Sequence, residues 1–344
     1  MTRAHRALLI MLVTIATYGC SRSSARPEGE IVINGAGSTF AAPLYEEWGE
    51  RFAKLHPGIH IEYDAVGSGD GQARFLQRAV DFGASDAPLT SEQLTGVDGG
   101  GLMIPVAAGG IVVAYNTKDL PDGLKLPRDV LADIFLGKIT SWNDGRIAAA
   151  NPGMNLPKHD ISRIVRSDSS GTTQAFSGHL SSISDAWRSG PGTGKRVSWP
   201  GSFQTASGND NVAGMVKMTD GAVGYIEYGT AKVAGLRMAA LENKRGTFVA
   251  PSKESIRTAF SQGGAASLSV SADPDGEGSY PIVTGTWLLT YHRGDAKRMD
   301  ALRSFVAWCL TDGQEAGEAL GYVRLPEETL AAARQDAEGI GRKQ

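Results

Sequence analysis

The chain has 344 residues, 41% of them hydrophobic, and a formal net charge of −3. That is enough apolar chain for two domains with cores of their own, and it excludes a disordered chain. Lys and Arg are scattered instead of forming a stripe, which argues against a nucleic-acid binder.

The N-terminus reads as a targeting segment. Arg3, His5 and Arg6 form a basic start, and residues 7–17 form an apolar run too short to read as a spanning helix. The run ends at Tyr18-Gly19-Cys20, which resembles the cleavage site of a bacterial lipoprotein precursor, with Thr17 and Tyr18 in place of the usual leucine and small residue. Residues 1–20 are therefore expected to be a signal peptide, with Cys20 as the lipid attachment point and membrane anchor. An ordinary secretory signal that contains a cysteine is the alternative. Residues 21–30, SRSSARPEGE, suit a flexible tether. The second of the two cysteines, Cys309, lies in the apolar run 305–310 and reads as a small core residue. With Cys20 lipidated or removed, no intrachain disulfide can form.

Strand-like and helix-like runs then alternate, the pattern of an α/β protein. Residues 31–34 read as a strand, and 40–55 as a helix with Leu44, Trp48, Phe52 and Leu55 at helical spacing. A strand at 59–66, a helix at 72–80 and strands at 81–85 and 111–115 follow. A helix at 130–136, a turn at 142–145 and a Pro-punctuated loop lead to a strand at 161–165, after which the chain turns helical. Later strands are predicted at 222–226, 247–250 and 286–291, a long helix at 299–320 and a helical tail at 327–332. The stretch 263–279, rich in Gly, Ala and Ser, reads as a loop where the chain returns from one domain to the other.

Three strand-to-helix junctions share one composition: GAGSTF at 35–40, VGSGDG at 66–71 and RSDSSGTT at 166–173. The first turn of a helix carries N–H groups without partners and a partial positive charge, and together these make an anion site. Glycine lets the backbone approach the anion, and Ser and Thr add donors. Arg166 adds a full charge and a donor fork. Taken singly, each turn is better explained by ordinary capping and loop glycine. Three of them with an arginine point to an anion.

Asp86, in FGASDAP, would repel an anion unless the anion still carries a proton. A carboxylate can accept that proton from phosphate, whose second ionisation falls near neutrality, but not from sulfate. Asp86 would then select phosphate by leaving sulfate with an unrelieved repulsion. A turn cap before Pro88 is the other reading. Asp168 either holds Arg166 flat or is an exposed turn residue.

With these motifs in view, the chain resembles the extracytoplasmic phosphate-binding proteins of high-affinity phosphate ABC transporters. GAGSTFAAPLYEEW at 35–48, GSGDG at 67–71, VDFGASDAPL at 80–89, SWNDGRI at 141–147, RSDSSGTT at 166–173, GAVGYIEYG at 221–229 and YPIV at 280–283 carry the resemblance in the family's order. It implies a two-lobed periplasmic-binding-protein fold of type II, two α/β domains joined by a two-strand hinge with the ligand in the cleft. Lobe I is expected at 31–107 plus 281–344 and lobe II at 108–280. The implied phosphate ligands are Thr39, Phe40, Ser68, Asp86, Arg166, Ser170, Gly171 and Thr172, with Asp168 pairing the arginine. Ser169 replaces the family's commoner glycine, and Gly69-Asp70 stands where the family often has Ser-Gly.

An enzyme is the first rival. The chain has no GxSxG elbow and no GxxxxGK[ST] loop. His56 and His60 are separated by Pro57-Gly58, which breaks any helical zinc face. A binder of another oxyanion, and a phosphate sensor or adhesin that feeds no transporter, are the other rivals. The expectation is a binding protein with no catalysis, no cofactor and no metal. Its partners would be inorganic phosphate, the permease subunits and through them the ATPase of a transporter, and a membrane if Cys20 is acylated. No nucleic acid is expected, and a monomer is.

Overall fold

A computed structural model describes residues 29–262 and 273–342. The expected signal segment with Cys20, residues 21–28 of the tether and residues 263–272 of the glycine-rich loop lie outside the described residues. From Ile31 onward the chain begins with strands β1 (Ile31–Gly37), β2 (Ile59–Asp64), β3 (Phe82–Ser85) and β4 (Gly101–Asn116). Helices α1 (Ala42–Leu55), α2 (Ser68–Leu76) and α3 (Ser91–Thr95) connect them. Next come β5 (Lys125–Leu126), α4 (Arg128–Phe135), α5 (Gly145–Ala150), β6 (Ser162–Arg166), α6 (Gly171–Ile183) and α7 (Asp185–Ser189). They are followed by β7 (Gln204–Ala206), α8 (Gly208–Met218), β8 (Ala222–Glu227), α9 (Tyr228–Val233), β9 (Arg237–Met238), β10 (Ala240–Glu242), β11 (Phe248–Val249) and α10 (Lys253–Gln262). The chain closes with β12 (Val283–Tyr291), α11 (Ala296–Cys309), α12 (Gly313–Leu320) and α13 (Glu327–Ala337).

Eight strands lie in the order β2-β1-β3-β12-β4-β8-β6-β7, with β9 also on β4. Strands β1, β2 and β3 are parallel. Strand β12 runs antiparallel between β3 and the first part of β4, from Tyr291 opposite Gly101 to Val283 opposite Gly110. From Ile111 on, β4 instead pairs with β8, and β6 lies parallel between β8 and β7. One long strand thus serves two sub-sheets, and the carboxyl ends of β1, β2 and β6 each feed a helix.

Several elements differ from the sequence reading. Strand β4 begins ten residues before the predicted 111, because Pro105 and the Gly-Ala run mask its first half. Its register with β12 shifts beside Pro105, the kind of irregularity where a strand tolerates proline. Helix α2 starts at Ser68, four residues early, so the glycine turn is itself the first helical turn. The predicted helix 299–320 is two helices, α11 and α12. The break lets the Gly313 carbonyl accept the buried Trp48 indole N–H at 2.6 Å. Of the predicted α1 stripe, Leu44, Trp48 and Phe52 are buried, whereas Leu55 is 62% exposed at the helix end. Cys309 is buried, as its apolar setting predicted. No helix among the described residues is long and apolar enough to cross a membrane.

Phe82 anchors the core beneath the first turn. Its ring lies 5.2 Å from Tyr45 and 6.3 Å from Phe305, centroid to centroid, and fills the space over Gly35, where a Cβ would come within 2.0 Å of it. Phe82→Ala should cost about 3–5 kcal/mol through lost burial and the cavity left behind. Urea unfolding with an unshifted midpoint would contradict this packing.

Candidate functional site

The first turn is built at the end of β1. Gly37 has φ +146, and a Cβ there would lie 2.0 Å from the Ala84 carbonyl, so only glycine lets β1 and β3 approach this closely. The Ser38 N–H then donates to Ala84 O at 2.9 Å, and the Ala41 N–H to Ser38 Oγ at 3.1 Å. The N–H groups of Thr39 and Phe40 between them have no partner among the described residues. In the α6 turn, Ser170 Oγ caps the Thr173 N–H at 3.0 Å. The N–H groups of Gly171 and Thr172, in the first helical turn, are left in the same way. All four residues are buried. Buried backbone donors without acceptors are rare in folded proteins, so four of them in two facing turns mark a place for an acceptor.

The two turns meet. A Cβ on Gly171 would sit 2.7 Å from Ser68 Oγ and 2.9 Å from Asp86 Oδ2, so the α6 N-terminus is pressed against the α2 turn and against Asp86. Arg166 bridges them from the end of β6. Its Nε and Nη2 donate to the two oxygens of Asp168 at 2.7 and 2.5 Å, a flat bidentate fork. Nη2 also donates to Thr39 Oγ1 at 3.0 Å, and Nη1 lies 3.4 Å from Thr172 Oγ1. Four of five guanidinium hydrogens are thereby used, and one on Nη1 is left. Burial works against the Asp168 charge, but the Arg166 hydrogen bonds and charge, with the Gly208 N–H at 3.1 Å, hold its carboxyl below the usual range.

Asp86 is buried at the end of β3. Its carboxylate accepts from Ser38 Oγ at 2.6 and 2.7 Å, from Thr286 Oγ1 at 2.8 Å and from Ser68 Oγ at 3.2 Å. Burial pushes its pKa up to about 6, against the lowering effect of these hydroxyls and of Arg166. A carboxylate has about four acceptor directions, so three hydroxyls leave room for one more donor.

Of the predicted site residues that the structure describes, Thr39, Ser68, Asp86, Arg166, Asp168, Gly171 and Thr172 are joined by these contacts, and Phe40 and Ser170 sit next to Thr39 and Gly171 in the same turns. Cys20 lies outside the described residues. The cluster also holds residues that sequence reasoning missed. Ser38 and Thr286 engage Asp86 as described. Asn209, fully buried in the first turn of α8, donates through Nδ2 to Thr39 Oγ1 at 3.1 Å and to Thr172 Oγ1 at 3.3 Å. Its own Oδ1 accepts the Glu227 N–H at 3.0 Å, which fixes the amide orientation.

Thr39 Oγ1 therefore has three donors within reach, Arg166 Nη2, Asn209 Nδ2 and the Asn209 N–H, one more than its two lone pairs can take. With its acceptor capacity filled, its own hydrogen is free to point at a ligand. The signal for Asn209 was present as Ser207-Gly208-Asn209, a fourth glycine-and-hydroxyl turn, but the three-residue β7 before it is too short to read as a strand. Asn209→Ala should weaken anion binding by about 1–3 kcal/mol, since two hydroxyls lose their orientation and the Glu227 N–H loses its acceptor. Calorimetry showing parental affinity would remove Asn209 from the site. Among the described residues, no group of three or more His, Cys, Asp and Glu could hold a metal ion.

A family model described as the PBP superfamily domain matches residues 24–313. The phosphate-binding protein PstS of Pasteurella multocida is 38% identical over 304 residues, covering 87% of each chain. The phosphate-binding protein PstS of Methanocaldococcus jannaschii is 37% identical over 353 residues, covering 93% of this chain and 91% of that one. Among solved structures, a phosphate-binding protein from Stenotrophomonas maltophilia matches with a TM-score of 0.72 at 20% identity, over 91% of this chain and 100% of that one. The phosphate-bound periplasmic protein PfluDING matches with a TM-score of 0.69 at 20% identity, over the same shares. At those identities the structural likeness speaks for the fold.

Proposed function

The chain belongs to the PBP superfamily and, within it, to the family of the phosphate-binding protein PstS, and on that premise we propose that it captures inorganic phosphate outside the cytoplasmic membrane and delivers it to an ABC transporter. Its fold is the α/β, two-lobed periplasmic-binding-protein fold of type II that the sequence led us to expect. The observation that carries the reading is the set of buried N–H groups of Thr39, Phe40, Gly171 and Thr172, without partners among the described residues, gathered with Arg166 around a buried carboxylate. The N–H groups, the hydroxyls and the guanidinium ask for oxygen acceptors. Asp86 asks for a donor. Monoprotonated phosphate offers both, and sulfate offers acceptors alone.

In this reading the lobes are 31–107 with 281–344, and 108–280, hinged where β4 and the segment before β12 cross. Thr39, Phe40, Ser68 and Asp86 come from one lobe, and Arg166, Ser170, Gly171 and Thr172 from the other. The full donor set exists only when the lobes close, so the anion stabilises the closed form, which the permease subunits and through them the ATPase recognise. The site holds an anion and offers no nucleophile–base pair, so the role is capture without catalysis or cofactor. The protein acts as a monomer, tethered through an acylated Cys20.

The test is calorimetric titration of phosphate into protein stripped of bound anion, repeated in a large excess of sulfate. Tight one-to-one binding that sulfate leaves unchanged is expected. No heat, or full competition by sulfate, would overturn the reading.

A further inference from the structure

We infer that Gly69 and Ser169 form a clasp across the cleft that sets how firmly the closed form is held, and so the affinity and residence time of phosphate, with neither residue serving as a ligand. The inference rests on the proposed capture by lobe closure. Gly69 is the second residue of α2, where the helix leaves its N–H without an internal partner. That N–H donates to the Ser169 carbonyl at 2.8 Å. A Cβ built on Gly69 would meet Ser169 Oγ at 2.0 Å, Ser169 Cβ at 2.3 Å and Ser169 O at 3.2 Å, its three nearest atoms outside its chain neighbours and the backbone of its own helix. The Ser169 side chain thus occupies the space that a side chain at 69 would need.

The backbone does not require this glycine. Gly67 and Gly208 have positive φ, whereas Gly69 does not. Nor does packing within its own lobe require it, since beyond its chain neighbours and the backbone of α2 itself no atom of that lobe comes as close to the built Cβ as the three atoms of Ser169. What excludes a side chain at 69 is the residue facing it from the other lobe. One turn further along α2, Gln72 accepts a hydrogen bond from Lys195, whose carbonyl in turn accepts the Ser170 N–H at 3.0 Å, so the contact continues as a short seam beside the anion. The geometry gives an energetic asymmetry. A methyl group on residue 69 obstructs the closed form, leaves the open form alone, and favours the helix in which it sits.

The experiment compares the parent with Gly69→Ala, Ser169→Gly, the double variant and Ser169→Val, each titrated with inorganic phosphate after removal of bound anion, and each melted without it. Gly69→Ala should bind phosphate about tenfold or more weakly, with faster release, while its anion-free melting temperature stays equal or rises. Ser169→Gly alone should stay within about threefold of the parent, because the clasp's hydrogen bond is made by backbone, and Ser169→Val should weaken binding by adding bulk from the opposite side. The decisive result is rescue: removing the Ser169 side chain in the Gly69→Ala background should return affinity to within about threefold of the parent. A parent that binds phosphate while Gly69→Ala binds it equally well, or a double variant no better than Gly69→Ala, overturns the clasp and leaves the capture reading standing. A lowered anion-free melting temperature in Gly69→Ala also overturns it, since the glycine would then serve the fold of its own lobe. A parent that takes up no phosphate overturns the capture reading and this inference with it.

Discussion

Arg166→Ala is expected to weaken phosphate binding by about 3 kcal/mol or more, at least on the order of a hundredfold in Kd. Two losses combine. The anion loses a buried, charge-assisted donor held flat by Asp168. Asp168, whose carboxyl is held ionised by that same guanidinium, is left as an uncompensated negative charge at the site. The second loss separates from the first in the double variant Arg166→Ala/Asp168→Asn, which should recover part of the affinity without reaching the parent. Arg166→Lys keeps the charge but not the fork, and should fall between parent and alanine. Calorimetry giving unchanged affinity for Arg166→Ala would sink the assignment of the site.

Asp86→Asn should do something different in kind: it should admit sulfate. In the parent, the ionised carboxylate repels an anion that brings no proton. The pH dependence follows with a definite sign. Burial raises the Asp86 pKa from 3.8 to about 6, so the carboxylate dominates above that value and the neutral acid below it. Sulfate should be excluded at pH 8 and gain affinity as pH falls through about 6, where Asp86 becomes neutral and able to donate. A bound sulfate dianion favours the protonated acid, which moves the onset upward and not downward. In Asp86→Asn the amide donates at every pH, so sulfate affinity should be higher at pH 8 than in the parent and nearly flat with pH. Phosphate should lose part of its affinity, because its proton loses a charged acceptor. A variant that rejects sulfate as well as the parent does would end the account of Asp86 as the filter.

The chemistry of single turns was legible because it is local. Ser170 caps the N–H three residues on, Arg166 pairs with an acid two residues on, and glycine with hydroxyl at the end of a strand signals a helix N-terminus wherever the chain goes afterwards. Spacing alone also read the α/β alternation and most of the α1 stripe. It failed where a neighbour distant in sequence set the outcome. The helix at 299–320 breaks where the Gly313 carbonyl meets Trp48, and β4 runs ten residues further than its composition suggests because β12 pairs along it.

The sequence by itself thus determined the donors: which turns expose N–H groups, which hydroxyls line them, and where the arginine sits. Only the tertiary structure decided what those donors surround. Thr286 reaches Asp86 across 200 residues of chain and Asn209 reaches Thr39 across 170, and no local pattern encodes either meeting. The raised pKa of Asp86 likewise arises from what folds over it and removes water, a property of the whole packed site. Hydrogen bonds within one turn are set by residues a few positions apart. Burial, and contacts between remote segments, exist only once the chain has folded.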